Sequence, residues 1–312
     1  MNILVLCHAY PNYVPDLLLH GLRKLFGDAV VDFPRKEVLY QGLCGSPNVD
    51  PIPNLMSDDS GVDRTDLEAK LAAGFFSFVI CDVRAFNEQI ALLQKSICPL
   101  AIIDGEDKPA PIRPGPYAIL RRETDGHDYS IPLPMALPVE VLDWLDRHAD
   151  QPKTHSVGFL GARINWVPER NDVLDEVGRC FPDALFHAWE LNDEQQRKGR
   201  DAYYASLQSC RAVLSLPGYG YDTFRYWEHA ACNAAHFAMR MPFLIPHDFR
   251  DGLEVVRFTS VRELVWRIEE VVSDDQKWRA LAARSRAWLR AHHTTEQRAR
   301  QTIDRLKVAF GV

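Results

Sequence analysis

Within LPGYGYDTFRYWEHAACNAAHFAMRMP, Leu216–Pro242, a cation and a carboxylate stand three residues apart, Arg225 and Glu228. They follow a loop rich in glycine and tyrosine: Gly218, Tyr219, Gly220, Tyr221 and, two residues on, Thr223. The apolar run Ala212–Leu216 ahead of that loop reads as a strand ending in Pro-Gly. Either Asp222 or Thr223 stands where a helix cap belongs. Strand, glycine loop and helix start, in that order, suit a phosphorylated ligand. Backbone N–H groups and the helix dipole face its oxygens, and a guanidinium adds a rigid fork. Glu228, one turn further, is placed to accept hydrogen bonds from the two hydroxyls of a ribose. The same residues also fit a surface turn with an intrahelical Arg225–Glu228 pair.

A second loop repeats part of this pattern. Gly161-Ala162-Arg163 follows the apolar run Ser156–Leu160. If the two strands are parallel neighbours, both loops reach the same sheet edge, where Arg163 and Arg225 share a diphosphate. Alone, Arg163 reads as a surface arginine. Trp166 either stacks on a base or packs in the core. In the first half, His8 and Asp16 flank the first loop, and Asp104-Gly105-Glu106-Asp107 ends a later strand. His8, Asp16, Asp104, Glu106 and Asp107 are the candidate general bases, with Asp107, Asp104 and His8 put first. Against that, Asp16 serves as a helix cap, His8 as loop filling and the acidic quartet as a solvated turn.

Other chemistries lack their signatures. There is no Asp-x-Asp, Asp104-x-Glu106 being the nearest approach, and His229, His236 and His247 have no zinc spacing. No HExxH, GxSxG, P-loop lysine or Gly-x-Gly-x-x-Gly pattern occurs. No metal site and no cofactor are expected.

The elements that must position these residues alternate strand and helix. Asn2–Cys7, Ala29–Phe33, Phe76–Cys81, Leu100–Ile103 and Ala118–Arg122 read as strands of a first series, with helices starting near Asp16, Asp66 and Phe86. Tyr40–Asp63 is a long irregular excursion, and Ile131–Pro138 a crossing between lobes. A second series begins at His155, with strands at Ser156–Leu160, Leu185–His187, Ala212–Leu216, Ala235–Met239 and Leu253–Phe258. Charged helices near Val261–Val272, Gln276–Leu289 and Thr294–Phe310 close the chain. The expected architecture is α/β, two Rossmann-like domains facing across a cleft. Residues 1–138 form the first domain and 139–290 the second, while 291–312 form a helix that packs back on the first.

Composition bounds the rest. The 312 residues are 46% hydrophobic and 25% charged with net charge −7, which argues against a nucleic-acid footprint. Seven scattered cysteines without CxxC favour a reducing compartment. No run approaches the roughly 20 apolar residues of a membrane span, and the N-terminus lacks signal-peptide features. A cytoplasmic location is expected.

Several stretches together resemble the GT-B glycosyltransferases, with a group-1-like C-terminal domain of the spore-maturation-protein-like or exostosin-like kind. They are VGFLGAR at Val157–Arg163, YYASLQSCRAVLSLPGYGYDTFRYWEHAACNAA at Tyr203–Ala235, and AWLRAHHTTEQRARQTI at Ala287–Ile303. IIDGEDKP at Ile102–Pro109 and YAILRRE at Tyr117–Glu123 add to the likeness. The resemblance implies a nucleotide-diphosphate sugar as donor and a glycan or other hydroxyl as acceptor. It implies Glu228 on the donor ribose, with Arg225 and Gly218–Thr223 at the phosphates. Gly220 stands where relatives of the retaining kind carry a second Glu, which leaves the anomeric outcome open. A non-catalytic sugar-nucleotide-binding module and a two-domain nucleotide-sugar epimerase are the alternatives.

Overall fold

The computed structural model describes residues 1–40, 55–56, 58–113, 115–163, 168–187 and 199–312. Most of the excursion expected after Tyr40, as well as Trp166 and Cys44, lies outside the described residues. The strands are β1 Ile3–Leu6, β2 Val30–Phe33, β3 Phe78–Asp82, β4 Leu100–Asp104, β5 Tyr117–Arg121, β6 Ile131–Pro132, β7 His155–Leu160, β8 Leu185–His187, β9 Cys210–Ser215, β10 Ala235–Met239 and β11 Val256–Phe258. The helices are α1 Tyr13–Phe26, α2 Leu67–Ala72, α3 Ile90–Leu93, α4 Val139–Asp146, α5 Pro168–Cys180, α6 Arg200–Gln208, α7 Phe224–Ala231, α8 Val261–Val272, α9 Asp275–His292 and α10 Thr295–Phe310.

The chain divides into two compact units. Unit 1 comprises Met1–Pro138, Phe243–Pro246 and Thr294–Val312; unit 2 comprises Val139–Pro242 and His247–His293. Each is built on one parallel sheet, as runs of Val, Ile and Leu without alternation require. The order in unit 1 is β2-β1-β3-β4-β5-β6, and in unit 2 β11-β10-β9-β7-β8. In both sheets the second strand goes to one side of the first and the third strand to the other. The order therefore reverses between β1 and β3 and between β7 and β9, where two loops leave in opposite directions and open a crevice for ligand.

In unit 1, Leu4, Leu6, Val79 and Cys81 pack under Leu67, Leu71 and Phe76. On its other helical layer α1 meets α10, and a Cβ on Gly21 would overlap the backbone carbonyl of Thr295. His20 Nδ1 joins Thr295 Oγ1 at 2.9 Å in that buried contact. In unit 2, Val157, Phe159, Ala212, Leu214 and Phe237 pack with Leu264, Ile268 and Trp278. Each such large side chain contributes about 1.5–3 kcal/mol on full burial.

Local expectations needed three corrections. Helix α1 starts at Tyr13 with Asn12 as its cap, so Asp16 lies in the first turn and reaches back to Asn12 N–H at 3.0 Å. The helix expected over Phe86–Gln94 is only Ile90–Leu93, because the chain after β3 first winds through short turns, Ala85 N–H to Asp82 O and Phe86 N–H to Val83 O. The last strand loses Leu253–Val255, which belong to a turn around Gly252 at φ +75.

Candidate functional site

β7 and β9 are parallel neighbours, with Val157 beside Ala212 and Gly158 beside Val213. Their carboxyl ends therefore send Gly161–Arg163 and residues 216–223 to the switch point of unit 2. Thr223 is the extended cap residue of α7, but its side chain makes no capping bond. Asp222 instead accepts from Trp227 Nε1 at 2.8 Å, both buried. The start of α7 thus has no cap from the Thr223 side chain, and Tyr226 N–H bonds to Thr223 O at 2.9 Å; helix starts are receptive to anions. Gly218 N–H bonds to Gly220 O at 2.8 Å and tightens the loop, holding Tyr219 outward at 60% exposure.

Arg225 crosses from α7 to the other loop. Its Nε donates to Leu160 O at 2.8 Å, and its guanidinium lies 5.1 Å from the centre of the buried Phe159 ring. A Cβ on Gly161 would stand 2.7 Å from Arg225 Nη2, which explains glycine there. No ion pair joins Arg225 to Glu228 among the described residues, so the intrahelical pair does not form.

The second cation beside Arg225 is Arg170, on α5. It is 2% exposed and lies 5.4 Å from the same Phe159 ring. It donates to Ala162 O at 3.0 Å, to Leu216 O at 3.3 Å and to Pro217 O, tying the two loops together. Burial first, then the Arg225 charge, pulls its pKa down from the usual arginine range. Two guanidiniums on one ring, with no carboxylate within ion-pair distance among the described residues, form a locally positive edge. Arg163 is partly exposed and pairs with Asp175 Oδ1 at 2.7 Å. The cation that the structure places beside Arg225 on the Phe159 ring is Arg170.

Glu228 is buried at 7% exposure, and its carboxylate accepts from Tyr203 OH at 3.0 Å and Tyr204 OH at 2.9 Å. Beneath α7, Ser215 Oγ bridges His229 Nδ1 at 3.0 Å and His236 Nε2 at 2.9 Å, all fully buried or nearly so. Desolvation lowers both histidine pKa values, that of His236 to about 3. These two histidines are core groups; His247 is exposed and stacks on His292 at 4.8 Å.

The carboxyl edge of unit 1 gathers the other candidates. Asp104 is buried, and it accepts from Glu106 N–H at 3.3 Å and Ala110 N–H at 2.8 Å and pairs with Arg121 at 3.0 Å. Glu106 takes a two-point bond from Arg84 at 2.5 and 3.0 Å. Asp107 pairs with Arg122 at 2.6 Å and keeps its side chain 48% exposed. Asp16 pairs with the buried Lys36 at 2.9 Å. His8 Nδ1 accepts from Tyr10 N–H at 3.2 Å, so the neutral ring carries its proton on Nε2, 3.7 Å from Glu88.

Asp82, which the sequence reading passed over, ends β3 beside the switch point of unit 1. It is 1% exposed, Oδ1 accepts from Arg84 N–H at 3.0 Å, and Oδ2 is buried without a partner. Desolvation raises its pKa, opposed by Lys36, Arg84 and His8. An aspartate closing the apolar run FVICD was the available signal. Among the described residues no group of three or more His, Cys, Asp or Glu could hold a metal ion. No helix among them is long and apolar enough to cross a membrane.

Residues 165–304 match the family described as glycosyl transferase-like. The chain is similar in structure to HepE of Anabaena, solved with UDP and glucose: 13% identity, TM-score 0.59, covering 98% of this chain and 99% of that one. Sucrose-phosphate synthase of Thermosynechococcus elongatus gives 12% identity, TM-score 0.57 and 100% of both chains. A glycosyltransferase of Rickettsia africae gives 9% identity and TM-score 0.55, over 98% of this chain and 97% of that one. No curated protein matches by sequence. The likeness to these solved structures shows the fold, which is the two-domain GT-B fold expected from sequence, and the spore-maturation or exostosin-like subtype is not confirmed.

Proposed function

We propose that this chain is a glycosyltransferase that moves a sugar from a nucleotide-diphosphate donor to an acceptor hydroxyl. Unit 2 is the donor domain and unit 1 the acceptor domain. The observation that carries this is Arg225, held over Gly161 at the switch point of unit 2 and on the first turn of α7. The glycosyl transferase-like match across 165–304 and the UDP bound in HepE support it.

Sugar transfer develops negative charge on the departing diphosphate. Arg225 and the first N–H groups of α7 are arranged to stabilise that charge where it forms, Gly218 and Gly220 letting the backbone approach. Arg170 holds both loops in register and adds long-range positive potential. Glu228 accepts from the ribose hydroxyls. Among the acceptor-side candidates, Asp104 is buried and paired with Arg121, and His8 Nδ1 is taken by Tyr10 N–H. Asp107, half open to water, is the carboxylate best placed to take the proton of an acceptor hydroxyl. Leaving-group stabilisation by cations and amides makes the reaction metal-independent.

The test is calorimetric titration with nucleoside diphosphates, followed by donor hydrolysis and transfer assays. Arg225→Ala and Glu228→Ala should each weaken binding of the preferred nucleotide by roughly 10- to 100-fold, the scale of one charge-assisted contact. Unchanged affinity in both rejects the site. Binding without turnover indicates a binding module, and interconversion of a donor with no acceptor present indicates an epimerase. Activity abolished by EDTA and restored by Mn²⁺ would overturn metal independence.

A further inference from the structure

Helix α8 has two polar flanks, and only one of them is paired. Its core side carries Leu264, Ile268 and Val272, with Val261 and Val265 half-buried beside them. On one flank Glu263 holds Arg267 at 2.9 Å, and Glu270 takes an ion pair from Lys277. On the other stand Arg262, Trp266 and Glu269, spaced i, i+4 and i+7, so that they fall within about 60° of one another. Among the described residues their side chains make no hydrogen bond, ion pair or ring contact. Trp266 is the one exposed tryptophan among those residues, at 60%. An indole on an outer helix face forgoes the large burial that places this residue type in cores.

These three residues line an open groove of about 590 Å³, with Val261, Val265 and, from α5, Glu176 completing it. That size suits a small ligand. Glu176 already takes a two-point bond from Arg179, at 2.6 and 3.1 Å. The groups left free are thus one cation, one anion and an indole. Their charges cancel, so the groove favours neither an anion nor a cation, and an acyl chain would strip water from three charges. A neutral polyol meets all of them. Its hydroxyls donate to Glu269 and accept from Arg262, and its C–H face lies against the indole. We propose that the groove between α5 and α8 is a saccharide-binding site, with Trp266 as the platform for a sugar ring and Glu269 and Arg262 as its hydroxyl partners. The groove is built on helices rather than on the loops at the carboxyl edge of the sheet, so it is a second site and does not rest on the donor site proposed above. A saccharide chain held here stays at raised local concentration around the protein.

The test is nuclear magnetic resonance on an isotope-labelled full-length chain. The Trp266 indole N–H signal, identified by its loss in Trp266→Ala, is followed while glucose, galactose, mannose, N-acetylglucosamine, maltose and cellobiose are added in turn. At least one of these sugars should move that signal, with Kd of about 1–10 mM, as suits a shallow site with few contacts. Saturation transfer to the C–H protons of the same sugar then reads the variants. Trp266→Ala and Glu269→Gln should each weaken binding by about 3- to 10-fold, the scale of one exposed aromatic or hydrogen-bonding contact. Both side chains are exposed, so both variants should keep the parent melting temperature. A Trp266 signal that none of the sugars moves overturns the proposal, as does sugar binding that Trp266→Ala leaves unchanged. Choline moving the signal where no sugar does would mark a cation site and overturn it as well. Nucleoside diphosphate affinity should be the same in parent and Trp266→Ala, and a loss there would overturn the claim of a second site. A chain that binds sugar at Trp266 but no nucleotide would sink the proposed function and leave this site standing.

Discussion

At the scale of single residues, Arg225 and Arg170 are two like charges on one phenyl ring with opposite assignments. Arg170 is buried and spends its donors on three backbone carbonyls, so it is the structural member. Arg225 has one backbone bond and lies at the mouth of the loop. Arg170→Met should therefore lower unfolding free energy by about 2–4 kcal/mol, because buried carbonyls lose a charged donor. Arg225→Ala should change it by less than about 1 kcal/mol while weakening nucleotide binding. Urea unfolding beside calorimetry reads both quantities, and reversed magnitudes would exchange the two roles. The choice between Arg163 and Arg170 was not legible in sequence. Both lie near the loop that follows β7, and only the packing of α5 decides which one turns inward.

At the scale of elements, two glycines report two kinds of close approach. At Gly161 the obstructing atom is the end of a flexible arginine, 2.7 Å away. Gly161→Ala should leave the fold intact, move the Arg225 fork and weaken nucleotide binding, with an unchanged melting temperature in the same preparation. At Gly21 the obstruction is the backbone of Thr295, which has no freedom to swing. Gly21→Ala should force α1 and α10 apart and cost about 1–3 kcal/mol, the usual scale of overpacking. A melting temperature unchanged by Gly21→Ala would mean that the two helices do not meet as described. Helix starts were legible where a side chain caps: Ser260 accepts from Glu263 N–H, Asp274 from Gln276 and Lys277, and Thr294 from Gln297. They were misplaced where none does so, since Asp16 serves α1 from within its first turn.

At the scale of the whole molecule, buried titratable groups set the pH range of stability. His229 and His236 have folded pKa values below the ordinary 6.5, that of His236 about 3, with desolvation the first cause. Between those values and 6.5 the unfolded chain binds protons that the folded chain refuses. Their contribution is therefore complete above pH 6.5 and is lost as pH falls toward 3. Buried Asp82 and Asp104, whose pKa values are raised above 3.8, act in the opposite direction in acid. The test is thus a difference: His236→Phe should flatten the fall in melting temperature between pH 6.5 and 4.5 relative to the parent. An identical pH profile in parent and variant would show that His236 is already charged in the folded state.

From the sequence by itself came the alternation of strands and helices, the parallel sheets, and the glycine loop followed by a helix with Arg225 and Glu228. These follow from runs of apolar residues, glycines and caps, which act over a few neighbours in the chain. Only the tertiary structure decided what those side chains face. Glu228 meets phenols 25 and 24 residues earlier, Arg225 meets a carbonyl 65 residues away, and Asp82 is left with an unmet oxygen at a strand end. Such partners depend on which strands become neighbours and on side-chain direction at their edges, and no local pattern encodes either.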